Sequence, residues 1–297
     1  MNCWRCRSLL VAIGLTVTAC ATFTVYRIQS LSVPNKSGTL SNGLRVTIQP
    51  DDSQSLVMVK VRYNVGAGVE PKDKKGLAHL IEHLAFRLDD ELMTGSAPAA
   101  SQDVGDASPQ QSATVHRRRV RYLVDENAYT LVDATVYYKR VPPVNLADVL
   151  NSFAGQMGDF SSQIAADVFD AERGVVHNER RSRYEGKPLD RAYRDLVEGY
   201  YPPEHPYWGT VIGTEESLNR VTLADVSSFL STYYHPGNAE LAIVGPVDAD
   251  EALALVMAQF AKLPAHAPNP AVRPDWTPTY RETLIEVDGA KQAMLSV

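Results

Sequence analysis

His79-Leu80-Ile81-Glu82-His83 constrains this chain more than any other stretch of its sequence, because it sets two imidazoles four positions apart with a carboxylate at the position before the second. At about 100° of rotation per residue the three side chains fall within roughly 100° of arc, so they share one face if the segment is a helix. The segment Leu77 to Leu88 carries apolar residues at helical spacing, which predicts that helix. Two neutral imidazoles so arranged can bind one Zn²⁺, and a carboxylate beside them can take the proton from a metal-bound water whose pKa the metal has lowered to about 7. That chemistry hydrolyses amide bonds.

An arbitrary histidine pair at this spacing is more often a solvated or hydrogen-bonded helix face. The order H-x-x-E-H in the frame Gly76 to Phe86 is more specific, being the inverted zincin signature. A catalytic zinc takes a third protein ligand and keeps one open position, so another element has to supply an Asp, Glu or His. Glu172 and Glu179 are candidates, since seven residues on a helix fall about 20° short of two full turns and let both face the first helix with Val176 between them. His177 lies about 200° round from Glu179 and reads as a surface histidine. Taken alone, Glu172 and Glu179 among Arg173, Arg180 and Arg181 read as a solvated charged face.

The 297 residues are 44% hydrophobic and 22% charged, enough for one large or two modest folded domains and incompatible with wholesale disorder. With 29 Lys+Arg against 35 Asp+Glu the formal net charge is −6, so there is no basic footprint for nucleic acid. Arg5 and Arg7 precede the uncharged run Ser8 to Tyr26, whose Leu9 to Leu15 reads as the apolar region of a secretory signal. Small residues lead to Cys20 as in a bacterial lipobox, so residues 1–19 are expected to be a signal peptide and Cys20 a lipidated mature N-terminus. An ordinary secretory signal and an uncleaved membrane anchor are the competing readings, and all three export the chain. Cleavage before Cys20 removes Cys3 and Cys6, which leaves no disulfide framework. Residues 20–37 read as a tether.

Asn42-Gly43 is a tight-turn signal, and Leu44 to Ile48 and Leu56 to Tyr63 alternate as half-buried strands. Residues 92–121 read as a flexible insertion rich in Ala, Ser, Gln, Gly and Pro, ending in the basic cluster His116 to Arg121. A strand is expected over Tyr129 to Tyr138, and helices over Asn145 to Met157, Ala165 to Tyr184, Arg191 to Tyr200, Leu223 to Tyr233 and Asp250 to Leu263. Ala239 to Val244 reads as one more strand. The Pro-rich residues 264–278 read as a linker, and residues 279–297 as the start of a second, truncated domain. The domain proper is then 38–263.

With these motifs in hand, the sequence resembles the insulinase/pitrilysin family of zinc peptidases, which includes the mitochondrial processing peptidases. The resemblance runs from about Asn42 to Asp248, through Val65-Gly66-Ala67-Gly68, the H-x-x-E-H helix, Asn127-Ala128-Tyr129-Thr130 and Glu172 through Glu179. It continues in His205-Pro206-Tyr207, Ile212-Gly213-Thr214 and Tyr234 through Ala239. It implies an α+β fold, a two-layer sheet-and-helix domain. It also implies one Zn²⁺ per chain held by His79, His83 and Glu179, with Glu82 as general base and Glu172 as a second glutamate supporting catalysis. Asn127 and Ala128 match the strand along which family members hold extended substrate, a mode in which main-chain hydrogen bonds give broad sequence tolerance. His205 and His235 are expected to be structural.

Two departures from the family stand out. The span from His83 to Glu179 is longer than usual, with the excess in the insertion, and loop closure tolerates this because its cost grows slowly with length. Family members also pair two homologous domains, and this chain stops just inside the second, so a homologous partner domain or subunit is expected. The reading that follows is an exported zinc endopeptidase acting on unfolded or extended polypeptides, in the bacterial cell envelope, facing the periplasm and tied to the membrane through Cys20. The alternative is a non-catalytic subunit that presents substrate in a two-component peptidase.

Overall fold

The computed structural model describes residues 34–94, 125–158, 160–184 and 188–271. The expected signal, Cys20 and most of the tether lie outside the described residues, as do the insertion beyond Thr94, with its basic cluster, and everything after residue 271.

In chain order the elements are β1 (Lys36–Thr39), β2 (Arg45–Pro50), β3 (Val57–Tyr63), α1 (Leu77–Thr94), β4 (Asp125–Thr130), β5 (Thr135–Val141), α2 (Leu146–Gly158), α3 (Ala166–Tyr184), α4 (Pro188–Tyr200), α5 (Glu215–Arg220), α6 (Leu223–Tyr233), β6 (Ala239–Gly245) and α7 (Ala249–Phe260). The strands form one sheet in the order β1-β2-β6-β3-β5-β4. Among the described residues only β2 and β6 pair in parallel; the other neighbours are antiparallel. Helices cover the sheet, with α2 over β3 and α7 over β2, while α1 lies against β4 and α3. This is the two-layer α+β arrangement expected from the sequence.

Alternation sets which face is covered. Val57, Val59, Val61 and Tyr63 are buried while Met58, Lys60 and Arg62 between them are half-buried. In register, Ile48 pairs with Ile243 and Ile243 with Val59, so apolar side chains from three strands form a stripe across the sheet. Leu80, Ile81 and Leu84 of α1, Leu150 and Phe153 of α2, and Val256 and Phe260 of α7 belong to the same core. Fully burying each such side chain contributes about 1.5–3 kcal/mol, so the helices are held mainly through this stripe.

Several elements differ from expectation. The single strand read over Tyr129 to Tyr138 is a hairpin, β4 and β5, whose turn falls at Leu131 to Ala134. Leu131 and Val132 have strand propensity, but tertiary contacts bend the chain there: Leu131 N–H donates to Ala134 O at 2.7 Å, Ala67 N–H to Leu131 O at 3.0 Å, and Gly68 N–H to Val132 O at 2.7 Å. Gly66 makes this docking possible, since a Cβ there would lie 2.0 Å from the Leu131 carbonyl oxygen. Helix α1 runs to Thr94 rather than Leu88 and takes in residues 92–94 of the segment read as insertion, because Gly95 is the first breaker after His83. Strand β1 begins at Lys36 and pairs Lys36 with Ile48 and Ser37 with Thr47, so it claims the last two residues of the segment read as tether. Helix α5 had no apolar periodicity to betray it; a capping box between Thr214 and Ser217 starts it.

Candidate metal centre

Helix α1 starts from a buried polar junction. The Glu70 carboxylate accepts from Gly76 N–H at 3.1 Å and Ala78 N–H at 2.6 Å, taking up donors that the first turn of a helix leaves unpaired. Burial pushes the Glu70 pKa up to about 7 in spite of these hydrogen bonds and the charge of Lys75. Lys75 is itself buried, which lowers its pKa, and its Nζ donates to Ala67 O at 2.7 Å and Pro206 O at 3.0 Å. The junction thus joins the Gly66–Gly68 turn, the α1 start and the loop at Pro206.

One turn further on, the histidines meet α3. His83 Nε2 lies 3.1 Å from Glu179 Oε2, His79 Nε2 lies 3.7 Å from the same oxygen, and His83 Nδ1 lies 3.8 Å from Glu172 Oε2. Val176, fully buried, packs between the two glutamates, so the seven-residue spacing does turn both toward α1. One ligand atom from each of His79, His83 and Glu179 falls within 4.8 Å of the others. His177 faces elsewhere, with Nε2 3.1 Å from Asn219 Oδ1 on α5.

The electrostatics of this group fit a cation. Burial and the neighbouring His83 push the His79 pKa down to about 4, which keeps it in the neutral form that ligates metals. For His83 burial works against charge, but the Glu172 and Glu179 carboxylates outweigh it and push its pKa up to about 9. The hydrogen bond with His83 in turn holds the Glu179 carboxyl below its ordinary range. His79 Nδ1 is buried and has no hydrogen-bond partner among the described residues. Two imidazoles and a carboxylate converging in this way compensate one another either with a proton on His83 or with a bound cation, and the nitrogen and oxygen donors suit zinc.

Glu82 is buried beside them, and burial raises its pKa. Thr130, the last residue of β4, donates its hydroxyl to Glu82 Oε2. Strand β4 ends the sheet order, so its outer edge carries no strand partner among the described residues. A cavity of about 570 Å³ lies between this edge and the helices, with Asn127, Ala128, Tyr129 and Thr130 on one side and the histidines and glutamates on the other. All seven predicted residues of the folded domain (His79, Glu82, His83, Asn127, Ala128, Glu172 and Glu179) therefore line a single cavity.

Three features were not singled out from the sequence. Thr130 shares a strand face with Ala128 by the two-residue period, a readable signal for its aim at the site. Arg183 binds Glu179 Oε1 at 2.8 Å through its Nη2, an i,i+4 pair legible once Glu179 is placed on a helix. The third is a buried tyrosine cluster behind α1, in which Tyr63 stacks on Tyr234 with ring centres 4.1 Å apart and the Tyr137 and Tyr234 hydroxyls lie 3.1 Å apart. Burial raises all three phenol pKa values. His205 and His235 are hydrogen-bonded outside the cavity, His205 Nδ1 accepting from Tyr207 N–H at 3.0 Å and His235 Nε2 lying 2.9 Å from Asn269 Oδ1.

Comparison with known proteins bears on this site. The family described as insulinase (peptidase family M16) matches residues 45–199, and the peptidase M16 inactive domain matches residues 220–297. The chain is 32% identical over 256 residues to the zinc protease PqqE of Helicobacter pylori, covering 86% of this chain and 51% of that protein. The crystal structure of the periplasmic protease PqqL from Escherichia coli superposes with a TM-score of 0.62 at 29% identity, covering 81% of this chain and 25% of that one. The ferredoxin protease FusC, solved as a mutant in complex with Arabidopsis ferredoxin, superposes with a TM-score of 0.63 at 25% identity, covering 84% of this chain and 26% of that one. The chain thus spans about half the length of PqqE and about a quarter of the other two.

Proposed function

Since the chain belongs to the insulinase family, peptidase family M16, we propose that it is an exported zinc-dependent endopeptidase that hydrolyses peptide bonds in extended or unfolded polypeptide. The observation that carries this reading is the convergence of His79, His83 and Glu179 beside a buried Glu82 and an open strand edge. His79, His83 and Glu179 would hold one zinc ion per chain, which when bound polarises a scissile carbonyl and acidifies water.

The chain's own residues do the rest. Glu82, whose raised pKa makes it a better base than an exposed carboxylate, takes a proton from water at a carboxylate oxygen and delivers it to the leaving amine. Thr130 holds that carboxylate through Oε2. Glu172, 3.8 Å from His83 Nδ1, orients the second imidazole and fixes which nitrogen faces Glu179. Asn127 and Ala128, on the open edge of β4, offer main-chain groups to a substrate strand laid alongside.

Relatives support the wider setting. PqqE is a zinc protease, PqqL a periplasmic protease, and FusC acts on a protein, ferredoxin. By analogy this chain works in the cell envelope facing the periplasm, tied to the membrane by lipid on Cys20, with a second homologous domain or subunit completing the substrate chamber. Intact mass of membrane-extracted protein checks the anchor: a mature N-terminus at acylated Cys20 is expected, and an unmodified terminus upstream of it removes that part of the proposal.

Zinc content and cleavage of an unstructured peptide mixture, measured together with Glu179→Gln as control, test the function. One zinc per chain, lost in the control, with cleavage is the expected result. Zinc without cleavage assigns the missing step to a partner. No zinc at all removes the peptidase reading.

A further inference from the structure

The cavity beside the metal centre has an acidic floor and a basic rim. Its floor carries Glu82, Glu172 and Glu179, which are engaged respectively with Thr130, His83 and both histidines. On its rim stand Arg87 and Arg183, each four residues beyond a predicted ligand, Arg87 after His83 on α1 and Arg183 after Glu179 on α3. One helical turn advances about 5.4 Å, so both guanidinium groups are placed within side-chain reach of a peptide lying over the metal centre. The Arg183 side chain is 61% exposed, and its pair with Glu179 engages one nitrogen of the fork. A guanidinium has five N–H donors in a planar array suited to a carboxylate, so the group keeps the capacity to bind a second acid.

We infer that Arg183, with Arg87 on the neighbouring helix, selects polypeptide segments that carry an aspartate or glutamate about two residues from the bond to be cleaved, since an extended chain advances about 3.3 Å per residue. The inference rests on the peptidase reading above. The acidic side chain would form a charge-assisted, two-point hydrogen bond with the Arg183 guanidinium, whereas a lysine at the same place would meet a like charge there.

Binding tests this without requiring turnover. Three labelled peptides, identical except for Glu, Gln or Lys at the second residue on each side of a central bond, are titrated by fluorescence anisotropy into the zinc-loaded Glu82→Gln chain. The Glu peptide is expected to bind about 5–10-fold more tightly than the Gln peptide, with Lys weakest, and the gap is expected to shrink between about 50 mM and about 300 mM salt. Arg183→Met should bring the Glu to Gln ratio below about twofold while zinc content stays unchanged, and Arg87→Met should narrow it. Equal binding of the three peptides overturns the inference and leaves the peptidase reading standing, as does a ratio unchanged by Arg183→Met. Loss of zinc in Arg183→Met would make the residue a support for Glu179 and overturn its role in recognition. Failure of all three peptides to bind overturns selection by this chain, and the peptidase reading is then judged by zinc content and cleavage as above.

Discussion

Thr130 and Glu82 meet from different layers of the domain: the hydroxyl at the end of an edge strand donates to a carboxylate oxygen on the helix that carries both histidines. The contact leaves Glu82 one oxygen for proton transfer and ties its position to the strand along which substrate is expected to lie. Replacing the hydroxyl with a methyl, Thr130→Val, should therefore lower turnover about tenfold or more while zinc content is unchanged. Metal analysis and peptide hydrolysis on the same sample check this, and full activity in the variant would show that Glu82 needs no such support.

Glu82 and Glu179 should separate cleanly in their effects. Glu82→Gln is expected to keep zinc and lose about 100-fold or more in turnover, because it removes the base and leaves the three ligands. Glu179→Gln is expected to lose zinc, because it removes a ligand oxygen and the charge that balances the cation. Zinc retained at full occupancy in Glu179→Gln would take this residue out of the ligand set.

Glu70 makes stability depend on pH. Its folded pKa of about 7 lies above the ordinary value of 4.5, so the folded chain binds this proton more tightly than the unfolded one. The resulting stabilisation is fully present below about pH 4.5 and is lost as pH rises through about 7, a change on the order of 3 kcal/mol. Glu70→Gln cannot lose a proton and should flatten this part of the profile. Urea unfolding of both proteins at several values between pH 4.5 and 8 checks it, and parallel profiles would contradict the assignment.

Gly66→Ala should destabilise the domain by about 3 kcal/mol, at the upper end of overpacking costs. An added Cβ would sit 2.0 Å from the Leu131 carbonyl oxygen and 2.9 Å from Ala134 N, and backbone atoms at both positions cannot swing away. The displaced part would be the turn between β4 and β5, which positions Thr130. Thermal unfolding, with Gly174→Ala as the comparison at a site with open space, measures the effect.

What the sequence disclosed about this fold depended on periodicity. Helix α6 buries one apolar face, and its spacing located it; the start of α1 was located in the same way, but its end at Thr94 was not, and α1 is buried on nearly every side from Leu77 to Ala85. The histidine and glutamate placements followed from the same helical period, which is why Glu172 and Glu179 turn to α1 while His177 turns to Asn219. The turn at Leu131 to Ala134 was not legible, because the groups that bend it are the backbone N–H groups of Ala67 and Gly68, far away in sequence. The burial of Glu70 and Lys75 was not legible either, since nothing in their sequence neighbours shows that the start of helix α1 will enclose them. The arginine rim shows only when two helices are laid side by side.

Strand β6 lies between β2 and β3 in the sheet, yet in sequence it follows both of them and the hairpin besides. Until Ala239 to Gly245 has left the ribosome, the β1–β2 pair and the β3–β5–β4 group have no strand to join them, although every residue of the metal centre has already been made. The domain consequently cannot finish folding ahead of its own synthesis, and long-range pairing of this kind slows it further. The sheet therefore closes last, around ligands and a base that were synthesised long before its central strand.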